Sequence, residues 1–169
     1  FAWWLNISSS IAISIAIIIT FGLLINYRMQ LIPIFEDIER KSYGTIAYGI
    51  SITILLISFW STNPAAVCAG TLVMAFGDGF AGLIGKQFKS QSWSILNQKK
   101  SIAGTTAMGA ITVLVLIFIN FMSGNTLNTL EIFSISLMAT GLEQIGPLGI
   151  DNLTVPIGVA IGWQYLSLF

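Results

Sequence analysis

The sequence predicts an all-α fold, a polytopic transmembrane helical bundle of about six spans, and three observations carry that expectation. Of 169 residues, 55% are hydrophobic and only 8% charged, against roughly a quarter charged in soluble domains. The apolar residues gather into runs close to the roughly 20 residues a helix needs to cross a bilayer core, where unpaired backbone is excluded. All seven basic residues fall in segments that a consistent threading places on one side of the membrane.

Taken in order, the first run extends from about Trp3 to Ile25. No basic flank precedes it and no small-residue cleavage site follows, so it reads as a span rather than a signal peptide. The second, Thr45 to Trp60, is short, with Tyr43 and Tyr48 near one rim and Trp60 at the other. The third runs from Ala65 to Ile84 behind Pro64, and the fourth from Ile102 to Met122. The fifth, Leu130 to Leu142, is marginal in length, and the sixth begins near Val155. The chain opens at Phe1 and stops at Phe169 inside an apolar run, so the expectation is one integral membrane domain, 1–169, truncated at both ends.

Arg28, Arg40 and Lys41 lie between spans one and two, and Lys86, Lys89, Lys99 and Lys100 between three and four. Cytoplasmic loops carry the basic excess, so this face is expected to be cytoplasmic, or stromal in a plastid. Parity then brings the loop between spans five and six, with Glu143 and Asp151, to the same face. Asp78, about two turns from the end of span three, joins them; Glu131 is the exception and reads as an interfacial surface charge.

Seven Lys plus Arg balance seven Asp plus Glu, which removes any bulk electrostatic case for binding nucleic acid. There is no histidine, so acid/base and metal chemistry falls to carboxylates, lysines and hydroxyls, a donor set suited to Mg²⁺. The one cysteine, Cys68, lies among Ala65, Ala66, Val67 and Ala69 and reads as a small packing residue.

A carboxylate inside an apolar span costs several kcal/mol and marks a cavity, a partner or a bound ion, which makes Asp78 the most informative position. Gly77, Gly79 and Gly82 match G-x-G-x-x-G, but no strand precedes them, and the P-loop pattern fails at Phe80 and Gln87. Gly77, Ala81 and Gly85 recur every fourth residue, a small-residue stripe on which another helix can approach closely, while Gly79 and Gly82 leave room for a ligand. Lys99 and Lys100 lead into Ser101, Gly104 and Thr105 at the start of span four. There a capped helix N-terminus with lysines beside it suits phosphate, and equally a positive anchor at the headgroups. Between Glu143 and Pro156, Pro147 and the glycines break the helix; Thr154 is expected to cap the next one, with Pro156 in its first turn. Asp151 and Asn152 read as ligands or as turn chemistry. Three carboxylates with lysines at Lys41, Lys86, Lys99 and Lys100 make a site for a metal-bound polyphosphate, its lipid acceptor arriving laterally from the bilayer.

These motifs, in order, resemble the CTP-dependent lipid kinases, the family of the phytol, dolichol and fungal diacylglycerol kinases. The residues concerned are Arg40-Lys41, Gly77-Asp78 with Ala81 and Gly85, Lys100-Ser101 with Gly104-Thr105, and Glu143 with Asp151-Asn152 and Pro156. The stretch from Glu143 to Pro156 looks closest to phytol kinases of cyanobacteria and plastids. The resemblance implies transfer of the terminal phosphate of CTP, or another nucleoside triphosphate, to phytol, giving phytyl phosphate in tocopherol biosynthesis and chlorophyll-phytol salvage. On that expectation Asp78 and Asp151 hold Mg²⁺, Glu143 or Asp78 orients the hydroxyl, and Arg40, Lys41, Lys86, Lys99, Lys100, Ser101, Gly104, Thr105 and Asn152 meet nucleotide and phosphate. The related phosphatidate cytidylyltransferases carry an acidic signature rich in Gly, Arg and His that this chain lacks. The family often has a histidine shortly after its Arg-Lys pair, where Ser42, Tyr43 and Gly44 stand here.

Dolichol or diacylglycerol remains open as the acceptor, because tails are selected by groove shape. A small membrane transporter is the alternative from another class, but it needs polar groups along the whole crossing path, and here they stop near one face. A fragment without catalytic competence is the third alternative.

Overall fold

A computed structural model describes residues 7–29, 43–96, 98–124 and 126–168. Among them are six helices: α1 (Ser9–Met29), α2 (Gly44–Phe59), α3 (Pro64–Gln87), α4 (Ile102–Ser123), α5 (Thr129–Gln144) and α6 (Asp151–Leu166). Helix α3 is α-helical over Pro64–Leu72 and Gly79–Gln87, with a π-helical segment, Val73–Asp78, between. A two-stranded antiparallel hairpin, β1 (Ser92–Ile95) and β2 (Gln98–Ser101), joins α3 to α4. It stands where a polar loop is expected from sequence.

The all-α membrane bundle is borne out, and each expected span has its helix. Three helices, α1, α3 and α4, are long and apolar enough to cross a bilayer. Helices α2, α5 and α6 have 16 residues each, or about 24 Å at 1.5 Å per residue, short of a hydrocarbon core of roughly 30 Å. Helices α3 to α6 run past their apolar runs at one end or both, because hydrogen-bonding groups and not apolarity stop a helix. Asn63 caps α3 by accepting from the Ala66 amide at 3.3 Å, with Pro64 in the first turn. Asn128 and Glu131 form a reciprocal capping box at the start of α5, so Glu131 has a local structural task that its reading as a surface charge leaves out. At the end of α4, Gly124 takes φ +97, and the buried Asn120 amide bonds both the N–H and the C=O of Leu127 at 2.9 Å.

Helix α6 is central, packing on α2, α3 and α5, while α1 packs chiefly on α2. Val155, Val159 and Ala160 are fully buried and Trp163 almost so. The small-residue stripe does what its spacing predicts. A Cβ on Gly77 would lie 2.8 Å from the Met108 sulfur, and one on Gly85 would lie 3.0 Å from Ser101 Oγ and 3.4 Å from Gly104 Cα. Gly104 answers from α4, against the Ala81 carbonyl. Helices α3 and α4 therefore cross almost backbone to backbone, which sets the spacing of the groups beyond Gly77.

A carboxylate cluster at the hairpin end of the bundle

Three elements each deliver one carboxylate to a common point: the π-helical segment of α3 brings Asp78, the last turn of α5 Glu143, and the start of α6 Asp151. One oxygen from each lies within 4.8 Å of the others. Glu143 and Asp151 are buried, at 5% and 7% exposure, and Asp78 is partly buried. The tight connection Glu143 to Asp151 makes this possible. A Cβ on Gly146 would fall 2.5 Å from that of Asp151, so only glycine lets the chain fold back this closely. A single 3₁₀ turn, Pro147–Gly149, follows, and Gly149, at φ +88, seats it against the Gly44 backbone. Thr154 and Pro156 depart from expectation here. The helix begins at Asp151, so Pro156 lies inside it and Thr154 is no cap; its hydroxyl donates to the Ile150 carbonyl at 3.3 Å. Past the first turn a proline cannot donate to the carbonyl four residues back, so the helix forgoes the bond to the Asn152 carbonyl.

Lys100 on β2 reaches this cluster from the other side. Its ammonium forms an ion pair with Glu143 Oε1 and donates to the Glu143 carbonyl at 3.0 Å. Gln144 Nε2 donates to Glu143 Oε2 at 2.6 Å and to Thr105 Oγ1 at 3.0 Å. Both Glu143 oxygens are thus engaged. Asp151 accepts from the Asn152 amide at 3.1 Å, and among the described residues no hydrogen bond holds the Asp78 carboxylate. Three carboxylates against one ammonium leave an excess of negative charge at close quarters, a donor set of hard oxygens of the kind that holds a divalent cation.

The structure separates the expected phosphate ligands. Side chains alternate along a strand, so Lys99, paired with Ser94, and Lys100, paired with Trp93, leave β2 on opposite faces; Lys99 is exposed and away from the cluster. Lys86, near the end of α3, is also exposed. The first amides of α4, expected to face an anion, are already taken: Ile102 donates to the Gln91 carbonyl, Ala103 to Ser90 Oγ and Gly104 to Ser101 Oγ, at 3.0, 3.1 and 3.2 Å. Ser101 therefore caps as expected, but it and Gly104 serve the α3–α4 crossing, and Thr105 holds Gln144. Arg40 and Lys41 lie outside the described residues. Beside Gly79 and Gly82 a Cβ would meet nothing within 4 Å, so the space foreseen there exists. Gln144 went unassigned in the sequence, with adjacency to Glu143 its one signal, and Gly146 was read only as a helix breaker.

No protein-family model matches the chain, and no solved structure does. Among curated proteins, a phytol kinase of Synechocystis is 37% identical over 174 aligned positions, spanning 99% of this chain and 74% of its own length. A probable chloroplastic phytol kinase 3 of Glycine max is 29% identical across 73% of this chain and 41% of its own. A probable chloroplastic phytol kinase of Triticum aestivum is 34% identical across 41% of this chain and 23% of its own.

Proposed function

The chain belongs to the phytol kinase family, and from that premise we propose that it transfers the terminal phosphate of a nucleoside triphosphate, CTP first among them, to phytol, giving phytyl phosphate. The observation that carries the chemical part of this reading is the meeting of Asp78, Glu143 and Asp151 within 4.8 Å of one another beside Lys100. Phosphoryl transfer asks little covalent chemistry of a protein and much positioning and charge stabilisation.

Asp78 and Asp151 are the carboxylates that hold Mg²⁺ in this reading, because the Glu143 oxygens are already committed to Lys100 and Gln144. When bound, Mg²⁺ neutralises the phosphate oxygens and orients the transferred group. Lys100 supplies the nearest positive charge for the polyphosphate, and its contact with Glu143 holds it there until a phosphate competes. Asp78, without a fixed hydrogen bond, is the better placed of the two candidate carboxylates, since it can hold Mg²⁺ with one oxygen and take the proton of the attacking hydroxyl with the other. Lys86 and Lys99, exposed on the same end, act as outer attraction for the nucleotide, and the helix-terminal amides of α4 take no part. The open side of α3 at Gly79 and Gly82 gives the alcohol a lateral way in from the lipid. The hairpin end faces the cytoplasm, or the stroma in a plastid, where nucleotides are found.

The test is transfer of label from γ-labelled CTP, compared with ATP, to phytol, dolichol and diacylglycerol in membranes holding the protein, with Asp78→Asn as control. Labelled phytyl phosphate that disappears in the variant is the expected result. Label in another lipid alone moves the acceptor, and no labelled lipid from folded protein overturns the reading.

A further inference from the structure

Helix α3 turns two of its glycines to different neighbours. In its first half Gly70 lies against α6, where a Cβ would be 2.4 Å from the Pro156 carbonyl oxygen. In its second half Gly77 lies against α4, facing Met108 and Thr112. Residues seven apart in an unbroken α-helix return to the same face within about 20°, so Gly70 and Gly77 would then look at one neighbour. The π-helical segment Val73–Asp78 lies between the two contacts. A π turn takes up one extra residue, worth about 100° of rotation in α-helical terms. That rotation seats Gly77, Ala81 and Gly85 on α4 and, at the last residue of the segment, brings Asp78 to Glu143 and Asp151.

A widened turn is the weak point of a helix, because its backbone partners are out of α register. The carbonyl of Thr71, just ahead of the segment, accepts a hydrogen bond at 2.8 Å from the hydroxyl of Tyr48 on α2. Tyr48 is half-buried and its ring packs against the core, so the bond is made away from bulk water. The sequence assigned this tyrosine to a membrane rim; its hydroxyl instead holds a neighbouring helix where that helix changes pitch.

We infer that Tyr48 is a positioning residue for the carboxylate site: its bond to Thr71 holds the π-helical turn of α3 and thereby the aim of Asp78 at Glu143 and Asp151. The inference rests on the divalent cation of the proposed function as the ligand of that site. It acts through backbone geometry, so Tyr48 touches neither substrate nor cation.

The experiment is a Mn²⁺ titration followed by electron paramagnetic resonance, on the purified chain in phosphatidylcholine nanodiscs, comparing wild type, Tyr48→Phe and Asp78→Asn. Phenylalanine keeps the ring and loses only the hydroxyl. Wild type is expected to bind Mn²⁺ saturably and Asp78→Asn to lose that binding, while Tyr48→Phe binds about fivefold more weakly, the scale of one net hydrogen bond. Turnover of Tyr48→Phe at limiting Mg²⁺ should fall in kcat with KM for the nucleotide unchanged. Wild-type Mn²⁺ affinity in Tyr48→Phe, with Asp78→Asn still deficient, overturns the positioning role and leaves the cation site standing. Equal Mn²⁺ binding by wild type and Asp78→Asn overturns both.

Discussion

Replacing Lys100 by methionine removes the ammonium that touches the carboxylate cluster while keeping a side chain of similar length. Two ionised carboxylates with oxygens no more than 4.8 Å apart repel by at least about 3.5 kcal/mol at an effective dielectric near 20, and three such groups meet here. Lys100 and Glu143 are largely shielded, with side-chain exposures of 12% and 7%, so water can do little to replace the lost partner. Breaking a pair of this kind from one side typically costs about 3–5 kcal/mol. Lys100→Met should therefore lower the thermal midpoint in nanodiscs by about 10 °C. The loss should shrink by half or more when Glu143→Gln is added, because the uncompensated charge then goes as well. Added Mg²⁺ should raise the midpoint of Lys100→Met more than that of wild type. A loss below about 1 kcal/mol for Lys100→Met, the range of an exposed pair, would refute the reasoning and mean that Lys100 does not compensate these carboxylates in the folded protein.

Gly146→Ala places a methyl on the Asp151 backbone; it should move Asp151 out of the cluster and cut turnover at least tenfold, about 1.4 kcal/mol, with helix content by circular dichroism retained. Wild-type turnover would show that the loop opens without disturbing the site. Asn120→Ala removes both bonds to Leu127 and should destabilise the fold by about 1–3 kcal/mol in equilibrium unfolding, with no change in KM for nucleotide, because the loop it pins is not at the carboxylate end.

Much of the bundle was legible because membrane segments obey two coarse rules, apolar length and internally satisfied backbone. The stripe Gly77, Ala81 and Gly85 was readable for a similar reason, since close helix approach demands small residues at a fixed spacing. Less could be read of the connection 88–101. Its polar residues fit a loop as well as a hairpin, and the cross-strand pairing that settles the matter is a tertiary contact. Because the hairpin was invisible, Lys99 and Lys100 looked like one pair, and the α4 amides looked free. The start of α6 was also misplaced, since Pro156 and Thr154 imitate a helix beginning that Asp151 already supplies.

By itself, the sequence determined that the chain is a helical membrane protein and led to the expectation that nearly all its ionisable groups, Glu131 apart, lie toward one face, because a bilayer makes each charge within a span costly and so informative. It also singled out Asp78, Glu143 and Asp151. Only the tertiary structure decided that these three meet, and that Lys100 alone among the described lysines joins them. It also turned α3 through a π-helical segment so that Asp78 faces inward. The physical reason is that helix rotation, strand register and the reach of a lysine are set by packing between segments far apart in the chain, which no local pattern of residues encodes.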